Sequence, residues 1–219
     1  MKQIILIFTA LIFCSCKSLP SIQPFYKEGI KQKQCFSPFP EGSWQFIHSI
    51  EAKMTNRKTA FITGVTNINS RTGKINTVMM TIEGLVLFDA EYDKQIRIHK
   101  SISPFDTMNF AAGLMKDVKL IFFHPQGELL AKGYTENGFP ICRYHSELGI
   151  VDIVLREDDT WEIREYDPYS RLIRCVKADS LNRQQANSYD IPEKITLVSY
   201  GKHEYILILS LIKAKQLTD

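Results

Sequence analysis

The stretch Trp44-Gln45-Phe46-Ile47-His48-Ser49-Ile50-Glu51 sets the reading of the chain. Trp44, Phe46, His48 and Ile50 alternate with Gln45, Ser49 and Glu51. A period of two puts successive side chains on opposite faces of a β-strand, so this segment reads as a strand with one buried face. The same alternation recurs at Lys58 to Ile68, Ile75 to Glu83, Leu85 to Tyr92 and Gln95 to Lys100. Short polar turns separate these runs: Thr55-Asn56-Arg57, Ser70-Arg71-Thr72-Gly73 and Tyr92-Asp93-Lys94. Parallel strands need long crossovers, so connections this short make the strands antiparallel neighbours.

Beyond Lys100 the period changes. Ser103 before Pro104 has the form of a helix N-cap followed by proline at the first helical position. Met108, Ala111, Met115, Val118 and Phe122 then follow at helical spacing, with Leu114 and Ile121 widening the apolar stripe. Gly127 to Lys132 reads as a second short helix after the break at Pro125-Gln126-Gly127. Alternation resumes at Ile141 to His145, Ile150 to Arg156, Thr160 to Tyr166, Arg171 to Ala178, Lys194 to Tyr200 and Glu204 to Lys213. Glu157-Asp158-Asp159 forms the tightest hairpin signal, and Gly201-Lys202 joins the last two strands. The expected fold is mainly β, with about eleven strands in an antiparallel half-barrel, because an open sheet of this size must curl to protect its apolar face and edges. The helical insertion is expected to cover the concave face.

The N-terminus carries a different message. Lys2 precedes the apolar run Ile4 to Phe13, and Cys14-Ser15-Cys16-Lys17 follows. A basic start, a short apolar core and a small residue before a cysteine make up a secretory signal that ends at a lipidated cysteine. The run falls short of the roughly 20 apolar residues that span a bilayer as a helix. The expected organisation is a signal peptide at 1–15, a lipidated N-terminus and tether at 16–42, and a half-barrel domain at 43–219, with Cys16 as the site of lipid attachment. The tether is polar and contains Pro20, Pro24, Pro38 and Pro40, with a helical turn near Tyr26 to Gln34. A diacylglyceryl cysteine with an added palmitate-like acyl chain binds the membrane with ~0.8 kcal/mol per buried methylene, which makes the anchor permanent. The signal resembles those of bacterial lipoproteins, in which an aspartate after the cysteine favours inner-membrane retention, and with Lys17 in that place the resemblance leans to the outer membrane, on its periplasmic face.

The formal charge of +3 carries no basic stripe with interleaved aromatics, so nucleic acid is not an expected partner. Beyond Cys16 the cysteines are Cys35, Cys142 and Cys175. One disulfide with one thiol left over, or three unpaired buried cysteines, both fit the sequence. Neither a G-x-S-x-G turn nor a glycine-rich phosphate loop occurs. His48, His99, His124, His145 and His203 lack the paired spacing of metal ligands and read as surface or hydrogen-bonded strand residues. Glu157, Asp158 and Asp159 read as a solvated turn. No cofactor is implied, and a binding protein is expected in place of an enzyme.

The apolar positions carry the functional expectation. Trp44, Phe46, Ile50, Val78, Met80, Ile82, Val86, Phe88, Tyr92, Val151, Ile153, Trp161 and Ile163 are assigned to one face, with Met108, Leu114, Met115 and Phe122 added by the helix. Alternation alone also describes a packed core. One helix of ~18 residues is only ~27 Å long and leaves part of a large concavity unfilled. Methionines suit a lining that repacks around variable aliphatic guests.

The order of elements, the signal ending at Cys16, the segment Ser103-Pro104-Phe105-Asp106 and the ending Ile191-Pro192-Glu193-Lys194-Ile195-Thr196-Leu197 followed by Tyr205-Ile206-Leu207-Ile208-Leu209 together resemble the bacterial lipoprotein-carrier fold of LolA and LolB. The chain is similar to a family of bacterial lipoproteins related to that fold, over Ser43 to Leu217. The resemblance implies an eleven-stranded half-barrel lidded by helices, an acyl chain or lipidic ligand inside it, and a periplasmic carrier protein as a further partner. The family's outer-membrane receptor has a loop with an apolar tip between early strands. The turn aligned with it here, Ser70 to Lys74, is wholly polar. The alternative reading is a structural or assembly lipoprotein that binds a protein partner through a sheet edge, with Glu204 to Lys213 as the candidate strand.

Overall fold

Consecutive strands joined by short polar turns pair with their chain neighbours, and the computed structural model shows where that rule leads. It describes residues 19–24, 35–55, 58–156, 160–181, 191–201 and 204–218. The expected signal peptide, Cys16, the turn at Tyr26 to Gln34, Asn56, Arg57, Glu157-Asp158-Asp159, Lys202 and His203 lie outside these residues. The elements are β1 (Ser43–Met54), β2 (Thr59–Asn69), β3 (Lys74–Met80), β4 (Val86–Asp93), β5 (Gln95–Ser101), α1 (Met108–Phe122), β6 (Leu129–Tyr134), β7 (Pro140–Ser146), β8 (Gly149–Leu155), β9 (Trp161–Tyr166), β10 (Leu172–Leu181), β11 (Pro192–Ser199) and β12 (Tyr205–Leu217).

All twelve described strands belong to one antiparallel sheet in the order β5-β4-β3-β2-β1-β12-β11-β10-β9-β8-β7-β6. The first meander runs outward from β1 to the edge strand β5. α1 then connects that edge to the opposite edge strand β6, and the second meander returns to pair β12 with β1, from Ser43 opposite Leu217 to Met54 opposite Tyr205. The half-barrel is therefore open between β5 and β6, and the one helix among the described residues lies against the inner face. Buried residues from α1, β1 to β4 and β7 to β12 merge into a single apolar cluster.

Three expectations are corrected here. The segment after Gly127 is strand β6, paired with β7, and not a second helix; Leu129-Leu130-Ala131-Lys132 has good helix formers, but the backbone of β7 supplies partners that override that preference. The helix begins later than Ser103-Pro104. Phe105 N bonds Ile102 O at 2.8 Å to close a turn, and Thr107 is the N-cap, its hydroxyl accepting from Phe110 N at 3.2 Å. β12 is no edge strand: it sits between β1 and β11. A register shift opposite Ile47 and His48 leaves Ile212 as the unpaired extra residue of a bulge, 60% exposed, while Leu207, Leu209 and Leu211 pack inward.

The segments before β1 are pinned to the sheet. Gln23 and Tyr134 exchange both backbone hydrogen bonds at 2.9 Å, and the carbonyl of Pro20 accepts from Arg143 Nη2 at 2.8 Å. Gly133 permits this approach, because a Cβ there would come within 2.1 Å of the Gln23 carbonyl oxygen. Cys35 and Cys142 form a disulfide, which fixes the pairing that the sequence leaves open. Among the described residues Cys175 is the free thiol, buried beside Glu162, whose carboxylate accepts its hydrogen bond at 3.1 Å; burial pushes the thiol up to about 12.

Candidate functional site

α1 is amphipathic, and Ala111, Met115, Val118, Ile121 and Phe122 turn its apolar stripe onto the sheet. Phe122 stacks on Phe46 of β1 with centroids 4.7 Å apart, and Phe110 meets Phe88 of β4 edge-on at 5.2 Å. One buried acid interrupts the stripe. Asp117 accepts from Arg174 Nε at 2.9 Å and from the Tyr205 hydroxyl at 2.5 Å, and Arg174 also bonds Glu165 at 2.9 Å. Burial lifts the Asp117 carboxyl to about 6 even though Arg174 and Tyr205 pull it down. The helix is thus held by apolar packing and by a polar tie to the centre of the second meander.

Near the C-terminal end of α1 the packing is incomplete. A cavity of about 150 Å³ lies between Ile121 and Phe122 of the helix, Phe46 and His48 of β1, Trp161 of β9 and Ile195 of β11. Its outer wall is the segment Phe36-Ser37-Pro38 with Pro40, together with Ile191 and Pro192. The disulfide holds that wall in place through Cys35. Sequence reasoning assigned these prolines to the tether; the apolar Phe36 and Phe39 among them are the signal that the segment returns to the domain. His48 departs from the expectation of a surface or hydrogen-bonded histidine. It is buried, and burial lowers its pKa to about 4.

The inner face receives Trp44, Phe46, Phe88, Met115, Phe122, Val151, Ile153, Trp161 and Ile163, all buried in one cluster. Ile50, Tyr92 and Leu114 are half-buried and pack against it. Val78 and Met80 are corrected to the opposite face. In β3 the inward residues are Ile75, Thr77 and Met79, because Met79 pairs with Phe88 and Ile75 with Tyr92. Val86 is half-buried just beyond the register shift that follows Met79. Ile82 is exposed in the turn between β3 and β4, and Met108 is exposed at the start of α1.

The strand count, the antiparallel order and the helix passing from one edge strand to the other decide the architecture. The chain has the fold of LolA and LolB. A LolA superfamily protein from Nitrosomonas europaea superposes with a TM-score of 0.52 at 13% identity, covering 82% of this chain and 88% of that one. A domain from Vibrio parahaemolyticus, described as an outer membrane lipoprotein-sorting protein, gives a TM-score of 0.49 at 9% identity over 81% of this chain and 86% of its own. By sequence, no family model matches the chain and no curated protein matches it. The turn between β3 and β4 is Thr81 to Leu85, where Thr81 N bonds Leu85 O at 2.9 Å and both Ile82 and Leu85 are exposed. The polar turn at Ser70 to Lys74 joins β2 to β3 at the other end of the sheet. Ile102, Met108, Leu129, Leu130 and Tyr169 are exposed at the same end as Ile82. No helix among the described residues is long and apolar enough to cross a membrane.

Proposed function

We propose that the protein is an envelope lipoprotein that binds an acyl chain or other lipidic cargo between α1 and the inner face of the half-barrel, and assists its transport or insertion at the outer membrane. The observation that carries this reading is an open sheet whose apolar face is covered by one helix with a cavity left at the helix end. The likeness to the Nitrosomonas protein supports the fold on which it rests, and the signal ending at Cys16 supports a lipid anchor on the periplasmic face.

A 150 Å³ space is below the roughly 300 to 1,000 Å³ of ordinary ligand pockets. A whole acyl chain therefore enters by displacing α1. Each methylene it buries contributes ~0.8 kcal/mol, which offsets the contacts that the helix gives up. The helix is joined by loops at 102–107 and 123–128, which can absorb such a displacement. The exposed Ile82 and Leu85 would meet the membrane or a periplasmic carrier during transfer.

The test is native mass spectrometry with lipid extraction on protein purified from a bacterial envelope. Bound fatty acid or phospholipid is expected, and Leu114→Asp, at a half-buried position on α1, should reduce it. Protein that is empty and takes up no fluorescent fatty acid would overturn the reading. The alternative, a protein partner at a sheet edge, moves from β12 to β5, which pairs only with β4 among the described residues.

A further inference from the structure

The cavity beside α1 contains a group that an aliphatic guest would leave unused. His48 is 3% exposed and borders the cavity. Among the described residues its ring makes no hydrogen bond. Its contacts are with rings: Phe46 and Phe122, each with its centroid 6.1 Å away. His48 faces the cavity, so a guest carrying a hydroxyl group can hydrogen-bond to its ring, an interaction that a purely aliphatic guest forgoes. Size limits the guest as well. An apolar cavity of about 150 Å³ accepts a molecule of the size of benzene.

We propose that this cavity is a subsite for a single aromatic ring bearing a hydroxyl group, seated among Phe46, Phe122 and Trp161 with its hydroxyl bonded to His48. The proposal deepens the functional reading above, on which it rests for the exposure of this face to cargo, by naming the group at the buried end of that cargo. Burial holds the imidazole neutral, so it has one nitrogen to accept from the hydroxyl and one N–H to donate. A neutral imidazole among aromatic rings gives no compensation for the charge of a fatty-acid carboxylate. Stacked and edge-on ring contacts add affinity for an aromatic guest that a methylene chain does not receive.

The experiment is a titration of the full chain in lipid nanodiscs, with empty nanodiscs as the partition blank. The probes are 4-methylphenol, toluene and hexanoic acid, and the readout is the nitrogen chemical shift of the His48 ring. The expected result is binding of 4-methylphenol roughly tenfold or more tightly than toluene or hexanoic acid, since a site that bonds a hydroxyl rejects the analogue lacking it. His48→Leu, which lacks the reporter ring and is followed by the methyl proton shifts of the probes themselves, should bring the two ring probes to within about twofold of each other by the same logic. Toluene binding as tightly as the phenol, hexanoic acid binding more tightly than either ring, or no probe shifting His48 overturns the proposal. These comparisons on the unaltered chain stand even if the variant fails to fold. Lipid co-purification without ring selectivity sinks the subsite alone; ring selectivity in a protein that never carries lipid sinks the lipid reading.

Discussion

At the residue scale the decisive side chain is His48, because its titration and its place in the cavity have one cause. The ring is buried against Phe46 and Phe122, and burial lowers its pKa from 6.5 to about 4. A folded-state pKa below the unfolded value gives stability that is complete above pH 6.5 and lost as pH falls through about 4. The difference amounts to about 3 kcal/mol. Urea midpoints at pH 7 and pH 4 should therefore fall much more in the parent chain than in His48→Leu, and equal falls would remove His48 as the source. The phase of β3 shows what residue-level reading could reach. Val78, Met79 and Met80 are consecutive apolar residues, so alternation within the strand cannot say which of them faces inward. Pairing of Met79 with Phe88 decides it. In β1, where polar Gln45 and Ser49 break the apolar set, Trp44, Phe46 and His48 were legible as one face.

At the element scale the weakest reading was β6, and its surroundings explain why. β6 is an edge strand whose pattern, Leu129-Leu130-Ala131-Lys132-Gly133-Tyr134, has no alternation. It is a strand because β7 pairs with it on one side and Gln23 bridges it on the other. Gln23 lies more than a hundred residues away, beyond any local signal. Gly133 is the point of closest approach. Gly133→Ala is expected to push the Gln23 carbonyl away and release residues 19–24 from the edge. Hydrogen exchange of the Gln23 and Tyr134 amides, which bond each other's carbonyls, should then speed up while β8 to β12 stay protected. Unchanged exchange at both amides would show that the edge accommodates the added Cβ without releasing the segment. α1 was more legible, since its stripe needs only helical spacing, but the start at Thr107 depends on the turn closed by Phe105 and Ile102, which spacing does not encode.

At the scale of the whole molecule, one covalent link joins the region before β1 to the far meander. The Cys35–Cys142 disulfide closes a loop with a sequence separation of 107 residues. That loop contains β1 to β5, α1 and β6, so the bond ties the segment before the first meander to β7 of the second. The sequence could count the cysteines but not pair them, because the pairing follows from α1 carrying the chain from β5 to β6. In the chain-entropy account a loop of about 100 residues contributes about 4–5 kcal/mol by constraining the unfolded chain, and measured effects are often smaller. Cys35→Ser should therefore lower the denaturant midpoint substantially. It should also act locally, because Phe36, Pro38 and Pro40 line the cavity beside Phe122. With its wall untethered, the cavity should admit solvent, and quenching of tryptophan fluorescence by acrylamide should rise through Trp161, which is 3% exposed when the wall is in place. A midpoint that falls without a rise in quenching would mean that Phe39, buried in the core and edge-on to His124 at 5.8 Å, holds the wall without the sulfur bridge. Loss of both together would make the disulfide a determinant of the cavity as well as of the fold.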